Sequence, residues 1–177
     1  MRIIGGTLKG RKLAEFKGEA VRPTSDFARE SLFNILRDRV EESVFLDAFS
    51  GTGAVGIEAI SRGAKRVVFN DLNKDSVNLI KQNLAKVSSP TNATVVFGDA
   101  LYLMQKSQNE FDIIFLDPPY NADITNNALV LAHGSLKKGG IVILEDEKPY
   151  ENEVDGLILY DKRKYGRAHF SFFRKEE

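Results

Sequence analysis

The chain has 177 residues, 42% of them hydrophobic and 28% charged, with a formal net charge of zero. One ordinary globular domain accommodates that composition, and the absence of cysteine excludes disulfides and thiolate metal sites. No apolar run is long enough to span a bilayer, and Met1–Gly6 lacks the apolar stretch of a signal peptide, so a soluble, cytoplasmic protein is expected.

Charge is unevenly spread along the chain. Arg2, Lys9, Arg11, Lys12, Lys17 and Arg22 crowd the N-terminal segment, and Lys162, Arg163, Lys164, Arg167, Arg174 and Lys175 surround Tyr165 near the other end. Acids sit instead at the ends of apolar runs: Asp47, Asp71, Asp99, Asp117 and Glu145. A neutral sum therefore leaves room for a local basic field of the kind a phosphate backbone needs. For most of these cations, taken singly, a solvated surface role is the simpler reading.

The segment from Arg2 to Phe16, broken by Gly5, Gly6 and Gly10, predicts a β-hairpin. After Pro23-Thr24, the spacing of Ala28, Leu32, Ile35, Leu36 and Val40 predicts a helix, capped by Thr24 or Ser25. From Val44 onward strands and helices alternate. Strands are expected at Val44–Ala48, Arg66–Asn70, Thr94–Phe97, Phe111–Leu116 and Ile141–Glu145. Helices are expected at Ala54–Arg62, Lys74–Val87, Ala100–Ser107 and Ile124–Ala132, with Gly63 ending the first and Asn73 capping the second. Several of the strands are continuous apolar runs, as happens when helices cover both faces. The fold class is α/β, a Rossmann-like, doubly wound and mostly parallel sheet. Leu157–Tyr160 and Ala168–Phe173 leave no room for a crossover helix, so they join the sheet antiparallel. Residues 1–40 are expected to form a hairpin-and-helix extension packed on a domain of residues 41–177.

Asp47-Ala48-Phe49-Ser50-Gly51-Thr52-Gly53-Ala54-Val55-Gly56 joins the first parallel strand to its helix. Such glycines let backbone turn sharply and approach a ligand beside a helix N-terminus. Residues 51–56 spell the dinucleotide fingerprint G-x-G-x-x-G, and Asp71 stands at a distance suited to a ribose, so a nicotinamide oxidoreductase must be weighed. Asp47 argues against it. A carboxylate at that position repels a pyrophosphate and attracts the ammonium of a methionine moiety. On that reading Asp71 accepts from ribose hydroxyls, Leu72 faces the adenine, and Asp99 and the Ala100 N–H meet its polar edge; an Asp at a strand end is also a common helix cap.

Asp117-Pro118-Pro119-Tyr120 follows the fourth strand and carries the sharpest signal. The prolines fix φ and remove donors, leaving the Pro118 carbonyl and the Asp117 carboxylate as two acceptors beside an aromatic face. Two acceptors can hold both hydrogens of an aromatic amine and aim its nitrogen. The motif selects an amino group and not a particular base, so an amino-methyltransferase of another base in RNA or DNA stays open. His133 and His169 lack partners at metal spacing, Met104 suits a core, and no metal is expected.

Asp47–Gly53, Asp71, Asp99 and Asp117–Tyr120 together resemble the class I methyltransferases of base amino groups. Met1–Gly6, Gly10–Leu13, Arg22-Pro23-Thr24 with Arg29-Glu30, Phe33–Leu36, Glu58-Ala59 with Ser61–Ala64, and Lys164-Tyr165-Gly166 narrow the resemblance to the RsmD family. Those enzymes methylate guanine N2 in bacterial small-subunit (16S) rRNA. The resemblance implies S-adenosylmethionine as cofactor, held around Asp47, Phe49, Gly51, Gly53, Asp71, Leu72, Asp99 and Ala100. It implies Asp117, Pro118, Pro119 and Tyr120 as the catalytic motif, and small-subunit rRNA or the assembling subunit as partner. Arg11, Lys12, Arg22, Arg29, Lys164, Tyr165 and Arg167 are candidate RNA contacts, with a salt-bridge role equally open for Arg22 and Arg29. A monomer is expected. Two departures from the family pattern stand out: Phe16 replaces the usual proline, and Asp71 a commoner glutamate.

Overall fold

The computed structural model describes residues 1–18, 24–88 and 90–176. Helix α1 (Asp26–Leu36) precedes the alternating part of the chain: β1 (Val44–Asp47), α2 (Ala54–Ser61), β2 (Arg66–Asp71), α3 (Lys74–Lys86), β3 (Ala93–Phe97), α4 (Ala100–Lys106), β4 (Phe111–Leu116) and α5 (Ala122–Ser135). Strands β5 (Leu136–Asp146), β6 (Leu157–Tyr165) and β7 (Ala168–Lys175) complete one sheet of order β3-β2-β1-β4-β5-β7-β6. β1 to β5 run parallel, and β7 pairs antiparallel with both β5 and β6. This is the expected doubly wound sheet with an antiparallel C-terminal end. No helix among the described residues is long and apolar enough to cross a membrane.

Both sheet faces are buried, which accounts for the unbroken apolar strands. Phe45, Phe69, Ile113, Phe115, Ile141 and Ile143 pack on one side with Leu32, Phe33 and Leu36 of α1, Ile57 of α2 and Ile80 of α3. Their neighbours Leu46, Val68, Ile114, Leu116, Val142 and Leu144 face the other way, onto Met104 of α4 and Ala128, Leu129 and Ala132 of α5. β3 sits at an edge and is only half covered.

Most expected elements appear within a residue or two of their expected bounds; the differences have local causes. Ser25 caps α1, its Oγ accepting from the Ala28 amide at 3.1 Å, and Phe33 takes the buried face in place of the expected Ile35. Asn121 caps α5 two residues early by accepting from the amides of Asp123 and Ile124. α5 then runs straight into β5, whose first residue pairs with Phe111 before a register shift. β6 and β7 are longer than Leu157–Tyr160 and Ala168–Phe173 because they pair as one hairpin, Leu157 to Lys175 through Tyr165 to Ala168.

The N-terminal segment is the expected hairpin in irregular form. Its arms pair through an antiparallel bridge, Arg2 to Lys12, and through backbone hydrogen bonds from the amides of Ile3, Gly10 and Leu13 to the carbonyls of Arg11, Ile3 and Met1. The backbone between the arms turns to α2, and residues just beyond them to α3. The amides of Ile4 and Gly5 donate to the Glu58 carboxylate at 3.0 and 2.8 Å, that of Thr7 donates to the Ser61 carbonyl at 2.8 Å, and that of Leu8 to Ser61 Oγ at 3.0 Å. Further on, Asn83 of α3 exchanges hydrogen bonds with the Ala14 amide and carbonyl. Gly6 is needed there, since a Cβ would overlap the Ser61 carbonyl and its φ is +76°.

Glu58 is fully buried and also faces Arg62 Nε at 2.9 Å and the buried Arg29 at 3.6 Å. Removing one member of such a network leaves uncompensated buried charge and unpaired amides. Glu58→Ala should therefore lower the unfolding free energy by about 3–5 kcal/mol in urea. The Ile4 and Gly5 amides should also exchange hydrogen faster than those of the sheet. Unchanged exchange at those two amides would show that Glu58 does not hold the segment.

Candidate active site

The carboxyl ends of β1, β2 and β4, with the loops that follow them, surround a cavity of about 1290 Å³. It lies where the strand order reverses, between β1 and β4, the position at which open α/β sheets bind ligands. Asp47, Phe49, Gly51, Asp71, Leu72, Asp99 and Ala100 line it, as do Asp117 to Tyr120. Every expected cofactor residue but Gly53 and the whole Asp-Pro-Pro-Tyr motif thus share one cavity.

Gly53 acts differently. It is the N-cap of α2 in left-handed backbone, φ +82°, and a Cβ there would stand 3.2 Å from Ile80 Cγ1, on the side of α3. Its role is to let the loop turn into the helix. A side chain would strain the fold and meet Ile80, and would not crowd a ligand. Gly51 lines the cavity, and a Cβ there would meet nothing within 4 Å.

The loop is shaped from below by β2. Ser50 and Asn70 bond through both backbone and side chain, and the Gly51 amide donates to Asp71 Oδ2 at 2.9 Å. Asp71 Oδ1 accepts from the Asn73 amide at 2.9 Å, so the carboxylate orders two loops. Asn70 donates to the carbonyls of Ala48 and Gly98 at 3.1 Å, lacing three strand ends together. Its Oδ1 is buried without a partner. Asp99 caps α4 through the Leu101 amide at 2.9 Å, while Leu72 is 71% exposed.

Acids crowd the β1/β4/β5 edge. Asp47 is buried, and burial pushes its carboxyl up to about 7; the Gly56 amide at 3.0 Å pulls the other way, and Asp71 and Glu145 add to the rise. Burial raises Asp117 well above the ordinary carboxylate range, reinforced by Glu145, Asp47 and Asp146. Glu145, one step along β5 from the residue that pairs with Leu116, is raised by burial and eased by a 2.6 Å hydrogen bond from Thr24 Oγ1. Thr24 lines the cavity just ahead of α1. Tyr120 is 65% exposed at the rim.

The basic candidates divide. Arg167, in the β6–β7 turn, is exposed and lines the cavity, and Lys164 is exposed nearby on β6. Tyr165 is half-buried, its ring against Phe27 and Phe170. Arg11 and Lys12 are exposed but do not line the cavity, and Arg22 lies outside the described residues. Arg29 is corrected: it is fully buried, bonded to the carbonyls of Thr24 and Arg2 and paired with Asp26 and Glu58. No phosphate reaches it. Sequence reasoning misses Thr24 and Asn70 as residues that line the site and Glu145 as the acid that holds Thr24. A glutamate ending an apolar strand is the available signal for Glu145, and the Arg22-Pro23-Thr24 motif the one for Thr24.

A carboxyl with a raised native pKa stabilises the fold fully below its unfolded value and loses that contribution as pH rises through the native value. For Asp47 the loss runs from about pH 4 to about pH 7. Asp47→Asn, which can still accept from Gly56, should lack it. Between pH 5 and pH 8 the variant should gain about 3 kcal/mol on the native protein in urea unfolding. Parallel pH profiles for the two proteins would contradict a neutral buried Asp47.

Residues 1–174 match the model of the family described as conserved hypothetical protein 95. Ribosomal RNA small subunit methyltransferase D of Haemophilus influenzae is 39% identical over 84% of this chain and 79% of its own length. The protein of that name from Escherichia coli K12 is 33% identical over 99% and 90%. Among solved structures, E. coli YhhF superposes with a TM-score of 0.89 at 29% identity, covering 99% of this chain and 98% of its own. The Thermus thermophilus protein TTHA0928 gives 0.81 at 28%, covering 100% and 99%. With a family match running almost end to end and relatives above 30% identity across most of both chains, the chain belongs to the RsmD family.

Proposed function

We propose that this protein transfers a methyl group from S-adenosylmethionine to the exocyclic N2 amine of one guanine in small-subunit rRNA, bare or in the assembling subunit. The observation that carries the reading is the union in one cavity of the glycine loop, Asp71 and the Asp117–Tyr120 motif. The relatives' names point to rRNA as the methyl acceptor, and guanine N2 comes from the family that the motifs resemble.

The residues present suit the cofactor. Gly51 leaves an open cradle, Asp47 is a buried carboxyl that gains from meeting a cation, and Asp71, Leu72 and Asp99 supply ribose acceptors, an apolar face and an acceptor for the adenine amine. When bound, S-adenosylmethionine supplies an electrophilic methyl on a sulfonium. Asp117 and the Pro118 carbonyl accept the two amine hydrogens and aim the nitrogen. The raised Asp117 carboxyl, once ionised, is a competent acceptor for the proton that the methylated nitrogen must lose. Tyr120 offers a stacking face to the extruded base, and Lys164 and Arg167 flank the entrance with positive charge. Residues 1–40 act in this scheme as an extension clamped on the catalytic domain.

Loss of an oriented acceptor at a reacting centre costs on the order of 10²–10³ in rate. Asp117→Ala should thus lower kcat by that factor while cofactor affinity stays within a few-fold. Tyr120→Ala should weaken productive RNA engagement by roughly 1–3 kcal/mol, with Tyr120→Phe near wild type. Single-turnover methylation of small-subunit rRNA by these variants, with mass mapping of the product nucleoside, tests both the site and the base. Near-wild-type turnover of Asp117→Ala would remove the motif from catalysis, and methyl on adenine or cytosine would replace guanine as the target.

Neutralising Lys164 and Arg167 should also flatten the salt dependence of RNA binding by about 0.7–0.9 log units per decade of salt for each phosphate that goes unneutralised. An unaltered slope in the double variant would mark both as solvated surface.

A further inference from the structure

Phe27 is an apolar ring standing 65% exposed in the first turn of α1. Neither hydrophobic core includes it. Other large apolar side chains are as exposed, Phe97, Tyr102 and Val130 among them; what sets Phe27 apart is its aromatic brace and its place near the cavity. The turn that carries the ring is well anchored. Ser25 caps the turn beneath it, Arg29 two residues on is locked by Glu58 and two carbonyls, and Thr24 ties the segment to Glu145 at 2.6 Å.

On its outer side Phe27 meets the Tyr165 ring edge-on, centroids 5.8 Å apart at 85°. Tyr165 leans in turn on the buried Phe170 at 5.8 Å. The rings descend from solvent to core, Phe27 exposed, Tyr165 half-buried and Phe170 buried. Two residues after Tyr165, Arg167 lines the cavity, and three residues before Phe27, Thr24 does the same. The platform therefore adjoins the cavity, with exposed Lys164 and Arg167 beside it.

We propose that Phe27, braced by Tyr165 and flanked by Arg167, is a stacking platform for a nucleotide neighbouring the one whose amine enters the cavity. The proposal rests on the reading above that the cavity receives a base from RNA. A rigid aromatic beside guanidinium and ammonium groups fits a nucleotide's π-face and phosphate together. A purely apolar protein segment would leave the two cations unused.

The chain contains no tryptophan, so Phe27→Trp places a single reporter on the platform. Its emission should be quenched by small-subunit rRNA, bare or in assembled subunits, and not by ribosomal proteins without RNA. In single-turnover methylation, Phe27→Ala should raise the half-saturating RNA concentration by about 5- to 150-fold. Its rate at saturating RNA and its S-adenosylmethionine affinity should stay within a few-fold. Phe27→Trp should preserve RNA affinity, and Phe27→Leu, apolar but without a π-face, should not.

The idea is overturned if Phe27→Leu binds RNA as tightly as the native protein, or if Phe27→Ala does. It is also overturned if the reporter responds to ribosomal proteins alone, or to rising protein concentration without RNA, either of which would mark a protein interface. Quenching by rRNA with no methyl transfer by the native enzyme would sink the proposed function and leave the platform standing. Methyl transfer with an unquenched reporter would do the reverse.

Discussion

Five parallel strands linked by crossovers must all end on the same edge of the sheet, and in this chain four of them end on or next to an acid. β1, β2 and β5 end on Asp47, Asp71 and Asp146, the last preceded by Glu145, Asp117 directly follows β4, and Asp99 stands two residues beyond β3. Those at the edge of the sheet can spread into water. Those near the switch between β1 and β4 cannot: burial raises the proton affinity of Asp47, Asp117 and Glu145, and Glu145 adds to the rise at both aspartates. The cavity is therefore electrostatically unfinished when it holds only protein. A cationic ligand relieves both the desolvation and the repulsion, so the stress that weakens the fold at neutral pH would strengthen binding of the sulfonium and ammonium of the proposed cofactor.

Helix α2 connects that edge to the rest of the molecule. Its first turn receives the glycine loop, with Asp47 reaching forward to the Gly56 amide. One and two turns later Glu58 and Ser61 accept the backbone of residues 4–8. An acid buried in the middle of an apolar helix destabilises that helix by itself; here it satisfies two amides and two arginines. The N-terminal segment is in this way held by the same helix that receives the glycine loop. Thr24, which lines the cavity, enters from the far end of that segment.

The parallel sheet and its helices are legible in the sequence because burial on both faces leaves a continuous apolar signature, and Asn, Asp and Gly mark the helix ends by mechanisms local in sequence. The cavity is legible for the same reason: strand ends and the loops after them are adjacent in the chain. What escapes notice depends on contacts between distant segments. The hairpin of the first residues is legible from their glycines and apolar pieces, but nothing local announces that the amides between its arms bond to α2. Arg29 resembles a phosphate ligand by type, and only the packing of α1 shows its charge spent on Glu58. Gly53 resembles its neighbour Gly51 in the motif, but one serves the turn and the other the cavity.

The zero net charge conceals a separation that bears on selectivity. Asp47 and Asp117 line the site with Glu145 behind them, whereas Arg167 stands exposed at its rim with Lys164 three residues away and one exposed acid, Glu147, also at the rim. A phosphate driven inward would lose its partners at the rim and meet carboxyls, an arrangement costing several kcal/mol for each uncompensated charge. A neutral base suffers no such penalty, and its amine finds acceptors already in place. In the proposed reaction the field therefore sorts the two halves of a nucleotide, holding the backbone outside and admitting only the base. The same sorting disfavours a dinucleotide, whose pyrophosphate would have to lie against Asp47. The G-x-G-x-x-G loop is thus shared with dinucleotide-binding proteins in shape, and the buried acid that precedes it separates this site from theirs in charge.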